Sequence, residues 1–80
     1  MSLYLDIHHQ VDGLTAETVE AAHAKDLEIQ ARYGVKYLKS WFDERRRKVF
    51  CLVEAPSKDA AIAVHRTHGW VADEVIEILR

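Results

Sequence analysis

The sequence predicts one α+β domain of ferredoxin-like type, with a four-stranded antiparallel sheet and two helices on one face. Three observations carry this. The segments read in the order strand, helix, strand, strand, helix, strand; glycines stand where each helical pattern stops; and 80 residues leave room for a single domain over 1–80 with no linker.

The first strand, Ser2 to His9, alternates Leu3, Leu5 and Ile7 with Tyr4, Asp6 and His8, the pattern of a half-buried strand. Asp12-Gly13 marks a turn. Thr15, with Glu17 and Thr18 behind it, starts a helix that runs to about Tyr33, and Gly34 suits its left-handed C-terminal cap. Val35 to Phe42 and Lys48 to Ala55, rich in Val, Tyr, Trp and Phe, are two strands joined by the charged hairpin Asp43 to Arg47. Ser57 caps a second helix, Lys58 to His68, closed by Gly69, and Glu74 to Leu79 is the last strand. Right-handed crossovers turn this order into a sheet with both helices on one side.

The middle strands are apolar on both faces: Val35, Tyr37 and Trp41 against Leu38 and Phe42, then Val49, Cys51 and Val53 against Phe50 and Leu52. Helices cover only one face. A second copy of the chain covers the other, which predicts a homodimer and a dimeric α+β barrel. A net charge of −2 gives no footprint for a phosphate backbone, so nucleic acid is not expected. The longest apolar run, Val49 to Val53, is far below the roughly 20 residues of a membrane span. The N-terminus does not resemble a secretory leader, and a lone cysteine agrees with a reducing compartment, so the cytoplasm is the expected location. Cys51, in mid-strand, reads as a buried inert thiol.

The polar residues that interrupt the apolar pattern point to function. Helical spacing from Val19 puts His23, Asp26 and Gln30 near the centre of the stripe facing the sheet, where each costs a few kcal/mol unless hydrogen-bonded or ligated. In the second helix, His65 and His68 fall on the face of Ala61 and Val64. The fold brings the end of the first strand, the end of the second helix and the start of the last strand to one edge, so His8, His9, His65, His68 and Asp73 meet there. His23 lies roughly 12 Å further along its helix, in the same site or a deeper one. Imidazoles with carboxylates form a ligand set for Ni, Zn, Cu or Fe. The bland alternatives are hydrogen-bonded His-Asp pairs, a solvent-facing His68, and an adjacent His8-His9 pair that points to opposite faces of its strand.

Asp6-Ile7-His8-His9, Gly13-Leu14-Thr15, Ala22-His23, Asp26, Gly34-Val35, Lys48-Val49-Phe50-Cys51-Leu52, Glu54-Ala55-Pro56, His65, Gly69 and Asp73-Glu74 together resemble a family of small bacterial proteins that includes nickel-binding ferredoxin-like dimers. The resemblance spans nearly the whole chain. It implies a cytoplasmic dimer able to bind nickel, with the histidines of the first strand and two helical histidines as ligands. The chain departs from the family at the end of the second helix, with His68 where a small residue is frequent and Trp70 where some nickel-binding members carry histidine.

The expected function is therefore binding of a divalent transition metal, nickel first and Zn or Cu as alternatives, without catalysis. His8, His9, His23, Asp26 and His65 are the candidate ligands or ligand partners, and Glu54 and His68 are further candidates. A rival reading is a small dimeric α+β-barrel enzyme using His23 and Asp26 as acid and base, with Tyr4, Asp6 and His8 lining a cavity at the dimer centre. A third is a regulatory module without chemistry.

Overall fold

The computed structural model describes residues 1–67 and 69–78. Strand β1 (Ser2–His8) leads through a turn to helix α1 (Ala16–Ile29), which starts at a reciprocal cap. The Thr18 amide donates to Thr15 Oγ1 at 3.2 Å and the Thr15 amide donates to Thr18 Oγ1 at 2.9 Å, satisfying two otherwise unpaired N–H groups. The helix tightens into a 3-10 turn over Gln30–Tyr33 before Gly34, at φ 67, ends it where the sequence predicts. Strands β2 (Lys36–Asp43) and β3 (Lys48–Ala55) form the hairpin. Helix α2 (Lys58–Thr67) follows Ser57, whose Oγ accepts the Ala60 amide at 3.1 Å, and strand β4 (Glu74–Ile78) completes the sheet. The predicted ends of the second helix and last strand, at His68 and Leu79, lie outside the described residues.

The sheet is antiparallel throughout, in the order β2-β3-β1-β4, so β1 and β3 are its central strands. This is the predicted ferredoxin-like arrangement. Its core lies between sheet and helices: Tyr4, Tyr37, Val49, Val53 and Ala55 pack with Val19, Ala61 and Val64. Among the described residues no helix is long and apolar enough to cross a membrane.

Two expectations about faces are corrected. Tyr4, Asp6 and His8, the polar half of the β1 alternation, do not line a cavity on the far side of the sheet. They sit opposite Val53, Cys51 and Val49 and are 6%, 0% and 1% exposed beneath the helices, while Leu3 and Leu5 take the outer face, half-buried. Secondly, Tyr37 and Trp41 do not share a face. Tyr37 pairs with Val53 but Lys39 pairs with Leu52, so Leu38 is an extra residue in the ladder and every later side chain of β2 changes side. Trp41 therefore joins Phe50 on the outer face and Phe42 joins Val49 on the inner one.

Candidate metal centre

Each element contributes to one buried polar group. Because strand residues alternate, Asp6 and His8 both point inward from β1, and Cys51 stands directly across the ladder from Asp6. Tyr37 reaches in from β2, Asp26 from α1 and His65 from α2. Asp6, His8, Asp26 and His65 are each at most 1% exposed.

His65 is the hub. Its Nε2 is 2.8 Å from Asp6 Oδ2 and its Nδ1 is 3.2 Å from Asp26 Oδ1, so a carboxylate meets each side of the ring. Burial alone would lower its pKa, but the bonds to Asp26 and Asp6 outweigh that and raise it to about 11. His65 is thus an imidazolium at neutral pH. The Tyr37 hydroxyl donates to Asp6 Oδ2 at 3.4 Å and lies 3.3 Å from His65 Nε2. Burial, with Asp6 and Asp26 nearby, raises its pKa and keeps it a neutral phenol.

His8 is the opposite case. Burial, aided by the charge of His65, lowers its pKa to about 4, so its ring is neutral. Among the described residues neither ring nitrogen makes a hydrogen bond, although the backbone at Val71 is near enough to favour the charged form slightly. The ring makes two aromatic contacts: edge-on to His65 at 4.8 Å between centroids, and stacked on Trp70 at 4.2 Å and 27°. Asp6 Oδ1 is likewise buried without a hydrogen bond. Such groups cost roughly 1–3 kcal/mol each, and buried polar atoms of this kind call for a reason.

A metal ion is chemically suited to supply it. One donor atom each from His8, Cys51 and His65 lies within 4.8 Å of the others. Ligands around a tetrahedral ion, at about 2.0–2.3 Å from it, stand roughly 3.3–3.8 Å apart, so the three atoms must close in by about 1 Å. Imidazole nitrogen with thiolate sulfur suits nickel, zinc or copper. Burial raises the Cys51 pKa despite the opposing pull of His65, so the group is a thiol until something displaces its proton.

The predicted candidates separate accordingly. His8, Asp26 and His65 come together. Adjacent His9 is directed elsewhere: its amide donates to Asp73 Oδ2 at 2.6 Å and its Nε2 pairs with Glu74 Oε2 at 2.5 Å. The strand end and the connection to β4 do meet, as topology required, and Asp73 donates its amide to the Ile7 carbonyl at 2.9 Å. Glu54 is on the outward-facing set of β3, between Leu3 and Lys36. His23 is half-buried, with Nδ1 enclosed and without a hydrogen bond, while its helix neighbour Asp26 pairs across to His65. Gln30 Oε1 accepts the Tyr37 amide at 2.9 Å, which explains one polar residue on the inner stripe. His68 lies outside the described residues. Sequence reasoning missed Asp6, Tyr37 and Cys51 as members of the group, and Trp70 as the ring that stacks beside it. Asp6 carried a signal, standing two residues before His8 on the same strand face; the other three look like core.

A family model of nickel responsive proteins, described as SCO4226-like, matches residues 4–78. The crystal structure of SCO4226 from Streptomyces coelicolor A3(2) is similar at 30% identity and a TM-score of 0.94, covering 99% of this chain and 98% of that one. No curated protein matches. With the family model matching nearly the whole chain and the solved structure superposing over its full length, the chain belongs to the SCO4226-like family of nickel responsive proteins.

Proposed function

We propose that this protein binds one divalent transition ion per chain, nickel in the first instance, at His8, His65 and Cys51, with Asp6 and Asp26 supplying compensating charge. The observation that carries the reading is His8: a neutral imidazole, buried beside two carboxylates, with neither ring nitrogen hydrogen-bonded. Membership of a nickel responsive family favours nickel over zinc or copper. The ion would supply a Lewis-acidic charge that holds the two imidazoles and the thiolate together.

Charge balance supports this reading. Two carboxylates and one imidazolium leave the site with one negative charge. Loss of a proton from His65 and another from Cys51 on entry of a divalent ion leaves that charge unchanged, so the net charge buried in the site does not rise. Binding therefore releases about two protons and weakens about a hundredfold for each unit fall in pH between 8 and 6. Calorimetric titration of untagged protein with nickel, in buffers of different ionisation enthalpy, reads both quantities. The expected result is one ion per chain with about two protons released, and loss of binding in His8→Ala. Equal binding by His8→Ala would overturn the assignment.

The outer face of the sheet supports a homodimer. Trp41, Ile76 and Ile78 are 41%, 43% and 37% exposed there, contiguous with half-buried Leu5, Phe50 and Leu52. An apolar surface of this composition is covered by a second copy in this reading. A lone, buried and unpaired thiol at Cys51 agrees with a cytoplasmic location.

A further inference from the structure

The buried group has a neighbour at the surface. A cleft of about 370 Å³ opens where β1 turns toward α1, lined by His9, Gln10, Val11, Asp12, Thr18 and Trp70. Trp70 belongs to both places: it walls this cleft, and its indole lies stacked on His8. We propose that the cleft is the port through which an ion reaches His8, and that the Trp70 side chain is its door. This rests on the metal-binding reading above.

The backbone of the door is fixed. The Gly69 amide donates to the Arg66 carbonyl at 3.1 Å and the Trp70 amide to the His65 carbonyl at 3.0 Å, with Gly69 at φ 84. This pair of hydrogen bonds follows α2 and ties the Trp70 backbone to that of His65. Opening therefore needs only rotation of the indole, with no helix displaced. What joins the indole to the His8 ring is a stack, so among the described residues its rotation gives up no hydrogen bond between the two. Side-chain rotation is fast compared with movements of packed elements.

The cleft offers a waiting place on the outer side. His9 with its partner Glu74, and Asp12 with its partner Arg47, bring imidazole and carboxylate groups to the rim, where a hydrated cation can pause before losing water. The two adjacent histidines thus take different parts: His9 at the mouth, His8 beyond the door.

A door changes the speed of passage in both directions and leaves the equilibrium untouched, whereas a packing role changes the equilibrium. The test is nickel uptake from a chromogenic chelator by stopped flow, and release to excess chelator, on the wild-type protein, Trp70→Ala and Trp70→Phe. Both rates should rise by about tenfold in Trp70→Ala, the order expected for loss of one ring stack, with Kd held within about threefold. Trp70→Phe should fall between the two, and it keeps the test available should the alanine variant fail to fold. Rates that do not move together, or do not move, overturn the door. His8→Ala separates this from failure of the site itself: uptake that needs His8 yet ignores Trp70 overturns the door alone, and uptake indifferent to His8 overturns both.

Discussion

His8 and His65 occupy one site with opposite protonation, and pH should expose the difference. The His65 pKa is raised from 6.5 to about 11, so its contribution to stability is complete below 6.5 and is lost as pH rises through 11. The His8 pKa is lowered from 6.5 to about 4, so the cost of keeping it buried is absent above 6.5, grows as pH falls from 6.5 to 4 and is complete below that. Stability of the apo protein should therefore peak near pH 6.5, with the urea midpoint falling on both sides. His8→Leu should stabilise the apo protein by about 1–3 kcal/mol, because it removes a buried group without hydrogen bonds, and should flatten the acid limb. An unchanged acid limb would contradict the assigned state of His8. Asp6→Asn should destabilise by about 3 kcal/mol in urea unfolding, since it removes one of the carboxylates that balance a buried imidazolium. Asp26 and His65 were legible in the sequence because polar residues on apolar positions stand out, and His8 because the fold brings the end of the first strand to the edge where the second helix ends. Cys51 and Tyr37 were not, because they suit a core equally well.

Individual elements owe their placement to local signals, and the places where these signals failed have local causes. The caps at Thr15 and Ser57 and the terminating Gly34 were readable, since each solves a known problem of unpaired amides or positive φ. The bulge at Leu38 was not. Nothing in Val35 to Phe42 distinguishes a continuous alternation from one with an extra residue, and only pairing with β3 decides it. At the other end of the fold, Gly69 at φ 84 holds the turn that carries Trp70. Gly69→Ala should cost about 1–2 kcal/mol from left-handed backbone strain alone. It should also loosen the Trp70 stack, read as a red-shifted and more readily quenched emission in a Trp41→Phe background, where Trp70 is the remaining tryptophan. Unaltered emission would place the hold on the indole elsewhere.

At the scale of the molecule, the strand order follows from chain connectivity and handedness, which is why the architecture was readable while the side of the sheet taken by Asp6 and His8 was not. Hydrophobicity assigned Leu3, Leu5 and Ile7 to the interior, but the helices present Asp26 and His65, and the polar set of β1 matches them. The leucines are then left on the outer sheet face with Trp41, Ile76 and Ile78, and burial of that face needs a partner. Ile76→Lys, at a 43% exposed position, should convert a dimer to a monomer in sedimentation equilibrium while preserving the circular dichroism of the fold. A species of one chain mass for the wild-type protein would remove the dimer from the proposal.

The central position of β1 has a bearing on which metal fits. Asp6, His8 and the facing Cys51 are carried by the two strands hydrogen-bonded on both sides, whose amides should be the slowest in the molecule to exchange with deuterium. That half of the coordination cage is a fixed template. Any closing of the cage around an ion must come from the helix that carries His65, so ionic radius is read as a displacement of α2, and protection of the α2 amides should rise or fall with the ion supplied while that of β1 stays constant.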